Sequence, residues 1–341
     1  MNLLRKILFP FAIIYGLVTA IRNFLFDIGI LKSAAFPIPV IAVGNLSVGG
    51  TGKTPQIEYL IRLLQNDYRV ATLSRGYKRE SKGYVLANEN ATAKVIGDEP
   101  FQYYKKFSKI QVAVDVSRKN GIDQLLSQPL KPEVILLDDA YQHRKVKAGF
   151  YVLLTAYGDL YADDCMLPTG NLREYKSGAK RANLIVVTKC PATLSIQNKD
   201  EIRAKLRLTK KQQLFFTTIS YDDTAYSAQD NLEVSEIIKK DKLLLAGIAK
   251  PESFFAYLQA ANDLTMVYPD HHHFTDNDII EIKNKSKNNI IVTTEKDFVR
   301  LKGSVLEEQL YYLPIKSKFL EGADLFDKTI LNYVGSSTRN G

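Results

Sequence analysis

The sequence predicts an α/β fold, with one larger domain built on a mostly parallel sheet and a smaller lobe of the same class. Short apolar runs alternate with helical patterns across residues 40–187, as successive β-α-β units produce. A second alternation follows, and 341 residues are enough for two domains. We expect an N-terminal helix at 1–35, the larger domain at 36–220, the second lobe at 221–334 and a frayed tail at 335–341.

Composition and charge exclude several protein classes. Hydrophobic residues make up 45% of the chain and no fixed-period repeat occurs, so disordered, fibrous and repeat architectures are excluded. The 46 Lys and Arg residues exceed the 37 Asp and Glu residues, and the net charge of +9 favours an anionic partner. The basic residues are scattered and no nucleic-acid module is recognisable, so we expect no nucleic-acid partner. Two isolated cysteines imply neither a zinc ribbon nor a disulfide framework.

The N-terminal region is predicted to form a helix that lies in, or dips into, a membrane interface. Residues 7–21 are uncharged and only Tyr15 and Thr19 among them are polar. Fifteen helical residues cover about 22 Å, which is short of the hydrocarbon core of about 30 Å. The apolar character resumes at Phe24 and continues to Ile30, with basic residues flanking the segment. Such a pattern suits lipid headgroups better than a clean single span.

Two other interpretations of this region remain open. Arg5 and Lys6 precede an apolar segment and Val18-Thr19-Ala20 resembles a cleavage site, as in a signal peptide. The segment could also be a core helix buried within the protein.

A glycine-rich loop follows the first predicted strand. Residues 40–43 are apolar and mostly β-branched, residues 44–55 carry the loop, and an apolar-periodic helix begins after Pro55. The pattern G-x-x-x-x-G-K-[ST] binds phosphate through inward-pointing N–H groups and a helix N-terminus; here Ser47 replaces its first glycine. The candidate nucleotide-binding residues are Ser47, Gly49, Gly50, Thr51, Gly52, Lys53 and Thr54.

The alternative to a nucleotide site is a glycine turn without a ligand. In a nucleotide site, Lys53 would reach the β- and γ-phosphates and the Thr54 hydroxyl would ligate Mg²⁺. ATP chemistry belongs in the cytosol, which favours a retained N-terminal helix over a signal peptide.

Two adjacent carboxylates follow a strand that is predicted to be fully buried. Residues 134–137 are a continuous apolar run and Asp138 and Asp139 come directly after it. Ligands bind beyond the carboxyl ends of parallel strands, where an acid usually supplies the second Mg²⁺ contact of a nucleotide site. The alternative is a solvated turn, which is the usual place for paired acids.

Three of the four histidines are adjacent, at 271–273, after Asp270. Neighbouring residues point in different directions and rarely converge on one metal ion. A histidine that handles a proton beside a carboxylate is more plausible. The alternative is a turn ahead of a helix that starts at Thr275.

Together these motifs resemble the tetraacyldisaccharide 4′-kinase (lipid A 4′-kinase) family, in order and from the N-terminus to about residue 300. The segments that carry the resemblance are Gly49–Pro55, Ser74–Tyr77, Gly97–Pro100, Asp138–Arg144, Pro168–Glu174, Asp270–His272 and Thr294–Asp297. The resemblance implies a P-loop kinase that moves the γ-phosphate of ATP to the 4′-hydroxyl of a tetraacylated glucosamine disaccharide 1-phosphate, giving lipid IVA. It also implies ATP and Mg²⁺ as cofactors, a monomer, and a location at the cytoplasmic face of the inner membrane, in contact with its lipid.

The resemblance also implies a role for individual residues. Lys53 and Thr54 would hold the triphosphate and Mg²⁺, and Asp98 would accept the proton of the 4′-hydroxyl with support from His271. The expected metal-site carboxylates are Asp138, Asp139 and Glu174. The other expected site residues are Gln142 and Arg173 at the nucleotide, and Tyr77, Arg118 and His143 at the lipid substrate. Ser47 departs only from the general P-loop pattern, and His273 receives no role.

Two other functions compete with the lipid kinase. A membrane-targeting nucleotide switch would often carry an additional lysine just before the glycine run, where this chain has Val48. A P-loop kinase for a soluble metabolite would keep its activity and solubility after deletion of residues 1–35.

Overall fold

Strands and helices alternate through the computed structural model, which describes residues 5, 7–270 and 272–338. The strands are β1 (Val40–Asn45), β2 (Val70–Ser74), β3 (Val85–Leu86), β4 (Gln111–Val114), β5 (Val134–Asp138), β6 (Phe150–Ala156), β7 (Leu184–Thr188), β8 (Gln213–Tyr221), β9 (Thr224–Tyr226), β10 (Asn231–Glu233), β11 (Lys242–Ala246), β12 (Leu264–Val267), β13 (Ile290–Thr294), β14 (Leu310–Leu313) and β15 (Ile315–Phe319). The α-helices are α1 (Phe9–Asp27), α2 (Lys53–Leu64), α3 (Ala93–Ile96), α4 (Asp98–Lys106), α5 (Arg118–Leu126), α6 (Ile196–Leu206), α7 (Val234–Ile237), α8 (Glu252–Leu258), α9 (Asp276–Ser286), α10 (Glu295–Leu301) and α11 (Ala323–Thr338).

The described strands form two sheets, and the expected α/β class is confirmed. The larger sheet has the order β15-β8-β7-β6-β1-β5-β2-β4-β3 and the smaller one β10-β9-β14-β13-β11-β12. Strands β1, β2, β5 and β7 are buried along their whole length, as a parallel sheet covered on both faces requires. Strand β1 lies between β5 and β6, and its Val43 pairs with Asp138 of β5. The phosphate loop and the paired acids therefore leave the sheet side by side.

Residues 315–338 return to the larger sheet, which differs from the expected extent of the second lobe, 221–334. Strand β15 pairs antiparallel with β8, and Phe326 and Ile330 of α11 are fully buried in the same core as Ile57 of α2. The four-residue spacing of Phe326 and Ile330 gives α11 one apolar face, and the larger sheet is the surface that buries it. The expected frayed tail at 335–341 is helical through Thr338, and residues 339–341 lie outside the described residues.

Helix α1 has 19 residues, a mean hydropathy of 1.6 and a buried share of 17% in its most apolar stretch. It is about 28 Å long at the helical rise of 1.5 Å per residue, longer than expected, and by length and composition alone it could cross a membrane. Ala12, Gly16 and Phe26 face the protein, while most of the large apolar side chains are exposed. The interpretation as a buried core helix is therefore wrong.

Candidate active site

The glycine loop joins β1 to α2 in the expected strand–loop–helix order. Gly49 and Gly52 have φ values of +115° and +79°, which a residue with a side chain rarely adopts, and Gly52 directly precedes α2. The first N–H groups of α2 consequently lack helical partners and point toward the loop. The Thr51 hydroxyl is buried and has no hydrogen-bond partner among the described residues. An unpaired polar group in such a loop fits a site that receives a ligand.

Asp138 is buried at the carboxyl end of β5. Its Oδ2 accepts hydrogen bonds from the Ser74 hydroxyl at 3.3 Å and the Tyr103 hydroxyl at 3.4 Å. Burial, together with the charge of Asp139, raises the pKa of Asp138 to about 6. Its Oδ1 has no hydrogen-bond partner within the described part of the chain. A buried acceptor oxygen with no donor suits a cation.

Asp139 follows in a left-handed conformation, with φ of +47°. Its Oδ1 lies 3.7 Å from Lys53 Nζ, and Arg173 donates from Nη2 to Oδ1 at 2.9 Å and from Nη1 to Oδ2 at 3.2 Å. Burial by itself would raise the pKa of Asp139, but Lys53 and Arg173 outweigh it and lower the pKa to about 2. The structure thus brings Lys53, Asp139 and Arg173 together, with the Asp139 carboxylate ionised.

The donor set beside the loop fits Mg²⁺. Within the described residues no group of three or more His, Cys, Asp or Glu side chains could hold a metal. Mg²⁺ in nucleotide sites needs no such group, because it takes one or two carboxylates together with phosphates and waters. The open oxygen of Asp138, the ionised Asp139 and the Thr54 hydroxyl, which contacts Tyr103, supply that smaller set.

Glu174 points away from this group and is held by protein donors on both oxygens. Oε1 accepts from Gln142 Nε2 at 2.9 Å and from Arg181 Nη2 at 2.8 Å, and Oε2 accepts from Asn23 Nδ2 at 2.8 Å. Only 2% of the residue is exposed. The expectation that Glu174 approaches the metal finds no support in these contacts. Adjacent residues of an irregular segment turn in different directions, so Arg173 faces Asp139 while Glu174 faces α1.

Gln142 uses its amide donors within the protein. Its Nε2 donates to the backbone oxygen of Asn45 at 2.9 Å as well as to Glu174. Asn45 ends β1 and also accepts from Arg173, so these residues hold the start of the phosphate loop. Ser47 in turn pairs with Leu172 across an isolated bridge.

Two of the expected substrate residues, Arg118 and His143, line a cavity of about 440 Å³ beside the end of α1. The remaining lining is Arg22, Phe26, Leu31, Val116, Ser117, Lys119, Arg144, Lys145 and Val146. Arg118 is 2% exposed and donates to the backbone oxygens of Asp115 at 2.7 Å and Asp138 at 3.2 Å. Burial, together with the charge of Arg118, lowers the pKa of His143 to about 4, so its imidazole is neutral at neutral pH.

Asp98 lies where the two lobes meet, as the first residue of α4. Arg300 of α10 donates to Asp98 Oδ2 from Nε at 3.0 Å and from Nη2 at 2.6 Å. The other nitrogen of Arg300, Nη1, donates to Asp297 Oδ1 at 3.1 Å. The Tyr77 loop is adjacent, since a Cβ built on Gly97 would lie 3.3 Å from the Tyr77 backbone oxygen. Tyr77 therefore lies near Asp98 and is not among the residues that line the cavity of Arg118 and His143.

The histidine run precedes α9. His272 Nε2 lies 3.0 Å from Asp278 Oδ2, and Thr275 and Asp278 form a reciprocal cap of that helix. His272 therefore lies beside a carboxylate, just ahead of the helix that Thr275 caps. His271, expected to support Asp98, lies outside the described residues.

Some groups at the site were not predicted from the sequence. Lys189 follows β7 with φ of +58°, and its Nζ would lie 3.7 Å from a Cβ built on Gly50. The preceding Thr188 donates its hydroxyl to the Thr51 backbone oxygen at 2.8 Å. The sequence pattern that predicted Asp138, a buried strand followed directly by polar residues, could also have predicted Lys189. Arg300 carried no comparable signal, because its partner is 202 positions away in the chain.

Comparisons with known proteins agree with this geometry. Residues 4–334 match the family model of the tetraacyldisaccharide-1-P 4′-kinases. A tetraacyldisaccharide 4′-kinase of Flavobacterium psychrophilum is 66% identical over 343 residues, covering 100% of both chains. That of Flavobacterium johnsoniae is 67% identical and covers 98% of each chain. A crystal structure of LpxK from Aquifex aeolicus in complex with ATP has a TM-score of 0.79 and 31% identity, over 97% of this chain and 100% of that one. This chain therefore belongs to the tetraacyldisaccharide 4′-kinase family.

Proposed function

We propose that this chain transfers the γ-phosphate of ATP to the 4′-hydroxyl of a tetraacylated glucosamine disaccharide 1-phosphate. The observation that carries the proposal is the position of Lys53, at the start of a glycine-loop helix and 3.7 Å from the ionised Asp139. That arrangement is typical of phosphoryl transfer. Membership of the 4′-kinase family supplies the acceptor.

The larger domain provides the nucleotide and metal site. The loop N–H groups and the Lys53 ammonium bind the triphosphate and neutralise charge that develops during transfer. Thr54, Asp138 and Asp139 would hold Mg²⁺, which when bound shields the β- and γ-phosphates. Arg173 fixes the direction of the Asp139 carboxylate. Lys189, beside Gly50, adds a second ammonium group at the loop.

Asp98 is the proposed general base for the 4′-hydroxyl. Its Oδ2 is fixed by Arg300, and the Tyr77 loop beside it offers a contact for the sugar. Transfer of the hydroxyl proton to a positioned carboxylate allows the 4′-oxygen to attack the γ-phosphorus in line with the bond to the departing ADP. His271 keeps the supporting role that the family resemblance implies.

The lipid acceptor explains the features that a soluble substrate would not require. Helix α1 exposes an apolar face, and the cavity beside it combines Phe26 and Leu31 with arginine and lysine side chains. Apolar groups suit acyl chains and the basic groups suit phosphate. We therefore place the protein at the cytoplasmic face of the inner membrane, where ATP is available, and propose that it acts as a monomer without a nucleic-acid partner.

Transfer of radiolabelled γ-phosphate to purified tetraacyl disaccharide 1-phosphate in detergent micelles tests the proposal. We expect labelled lipid from the intact chain with Mg²⁺, and roughly 10²- to 10³-fold less from the Lys53→Ala variant. ATP hydrolysis stimulated by anionic vesicles without labelled lipid would instead support a nucleotide switch. Retained transfer to a soluble sugar after deletion of residues 1–35 would support a metabolite kinase.

A further inference from the structure

Two polar contacts of helix α1 are made to the segment that clamps Asp139. Tyr15 donates its hydroxyl to the Arg173 backbone oxygen at 3.1 Å, and Asn23 Nδ2 donates to Glu174 Oε2 at 2.8 Å. The approach is close, because a Cβ built on Gly16 would lie 2.5 Å from the Tyr175 hydroxyl. The membrane-facing helix therefore rests directly on residues 173–175.

The same segment is joined to the phosphate loop. Arg173 N donates to the Leu46 backbone oxygen at 2.7 Å, and Val48 N donates to that of Asn171 at 2.8 Å. The Arg173 guanidinium holds Asp139 and Asn45. A displacement of this segment would consequently move the clamp on Asp139 and the entrance of the loop together.

The Glu174 side chain connects helix α1 to the residues at the start of the phosphate loop, alongside a hydrogen bond from Arg22 Nη2 to the Gln142 backbone oxygen at 2.8 Å. Asn23 on α1 binds one of its oxygens and Gln142, which also binds Asn45, occupies the other. Arg181 donates to both oxygens at 2.8 Å and lies over the Tyr141 ring, 4.7 Å from the ring centroid. A buried carboxylate with donors of fixed geometry on both oxygens leaves little freedom to the groups around it.

We propose that Glu174 is a positioning residue through which the seating of helix α1 sets the Arg173 clamp on Asp139, and with it the affinity for ATP. The proposal rests on the proposed function only in that the loop binds ATP. It is independent of the acceptor, so ATP binding without transfer to the lipid would overturn the proposed function alone.

The test is equilibrium binding of a fluorescent ATP analogue to the full chain in detergent micelles, at several Mg²⁺ concentrations. We expect Glu174→Gln to raise the dissociation constant roughly 10-fold or more, as loss of a group supporting a metal-site carboxylate does. Asn23→Ala should raise it by a smaller factor, about threefold, and Asn23→Gln should recover part of the loss. Adding Asn23→Ala to Glu174→Gln should have no further effect, because the two residues act in one network.

The matched control is Thr19→Ala on the same helix, whose hydroxyl donates to the Gly16 backbone oxygen within that helix at 2.9 Å. It should leave binding unchanged. A higher Mg²⁺ requirement in Glu174→Gln but not in Asn23→Ala would make Glu174 a metal ligand and overturn the proposal. Unchanged dissociation constants in both variants, together with lowered melting temperatures, would mean that the network only stabilises the fold. That result would also overturn the proposal.

Discussion

The two halves of the proposed active site are built differently. The phosphate side is assembled at one edge of one sheet, where Lys53, Asp139 and Arg173 all follow elements of the larger domain. The side of the proposed base is assembled between lobes, since Asp98 begins α4 and its partner Arg300 belongs to α10. The phosphate side is therefore set by the fold of one domain, whereas the base is set by how two lobes pack.

Further ion pairs join the lobes around Asp98. Lys296 of α10 lies 3.0 Å from Glu99, and Lys106 bridges Glu58 at 2.8 Å and Glu295 at 2.9 Å. Burial and the nearby Glu58 raise the pKa of Glu295 to about 7. Changes in this region should alter turnover more than ATP binding, while changes in the phosphate loop should alter both.

The sharpest test of this difference is Asp98→Ala. We expect turnover to fall roughly 10²- to 10⁴-fold, as for loss of a general base, while the ATP dissociation constant stays near that of the unchanged chain. Steady-state transfer to the lipid and equilibrium ATP binding measure the two quantities. Unchanged turnover would remove Asp98 from the mechanism.

Lys53→Ala should affect both quantities. Loss of a charge that stabilises the transferring phosphoryl group should cost roughly 10²- to 10³-fold in turnover, with weaker ATP binding. The same two assays measure the effect, and Lys210→Ala, at an exposed lysine far along the chain, is the control. A variant with full activity would exclude the glycine loop as the phosphate site.

Arg300→Gln tests how the contact between the two lobes contributes to turnover. Without the guanidinium on Oδ2, the Asp98 carboxylate is less well oriented, and we expect kcat to fall roughly 10-fold with the KM for ATP unchanged. Lys302→Gln removes a charge just beyond the same helix and should have no effect. A raised KM with unchanged kcat would mean that Arg300 serves the nucleotide instead.

Asp138→Asn should show how much the buried Asp138 carboxylate lowers the free energy of unfolding when no nucleotide is bound. Burial raises the pKa of Asp138 from 3.8 to about 6, so folding becomes less favourable as pH rises across that range. We expect the variant to be more stable at pH 7.5 by up to about 3 kcal/mol, and the difference to vanish near pH 4. Urea unfolding at both pH values measures it, with the exposed Asp123→Asn as control. Lower stability of the variant at pH 7.5 would contradict the assignment.

Local patterns in the sequence predicted the parts of the site that lie on consecutive elements. The glycine loop and Asp138–Asp139 were found because each follows a buried strand, and parallel strands end at one edge. The direction of Glu174 was not predictable, since it depends on where α1 packs. The return of residues 315–338 to the larger sheet was also missed, because a pairing between β8 and β15 leaves no trace in either segment alone.

The packing of residues 315–338 on the larger sheet has a consequence for folding during protein synthesis. Phe326, Ile330 and Val334 complete the core around Ile57, and the Tyr333 hydroxyl lies 3.2 Å from Val40 N, at the first residue of the strand that leads into the phosphate loop. A ribosome has therefore to synthesise the entire second lobe before the first can close its core. The core of the nucleotide-binding half is completed by the last segment to be translated, and a product cut short before residue 315 would expose apolar side chains of that sheet to chaperones and proteases.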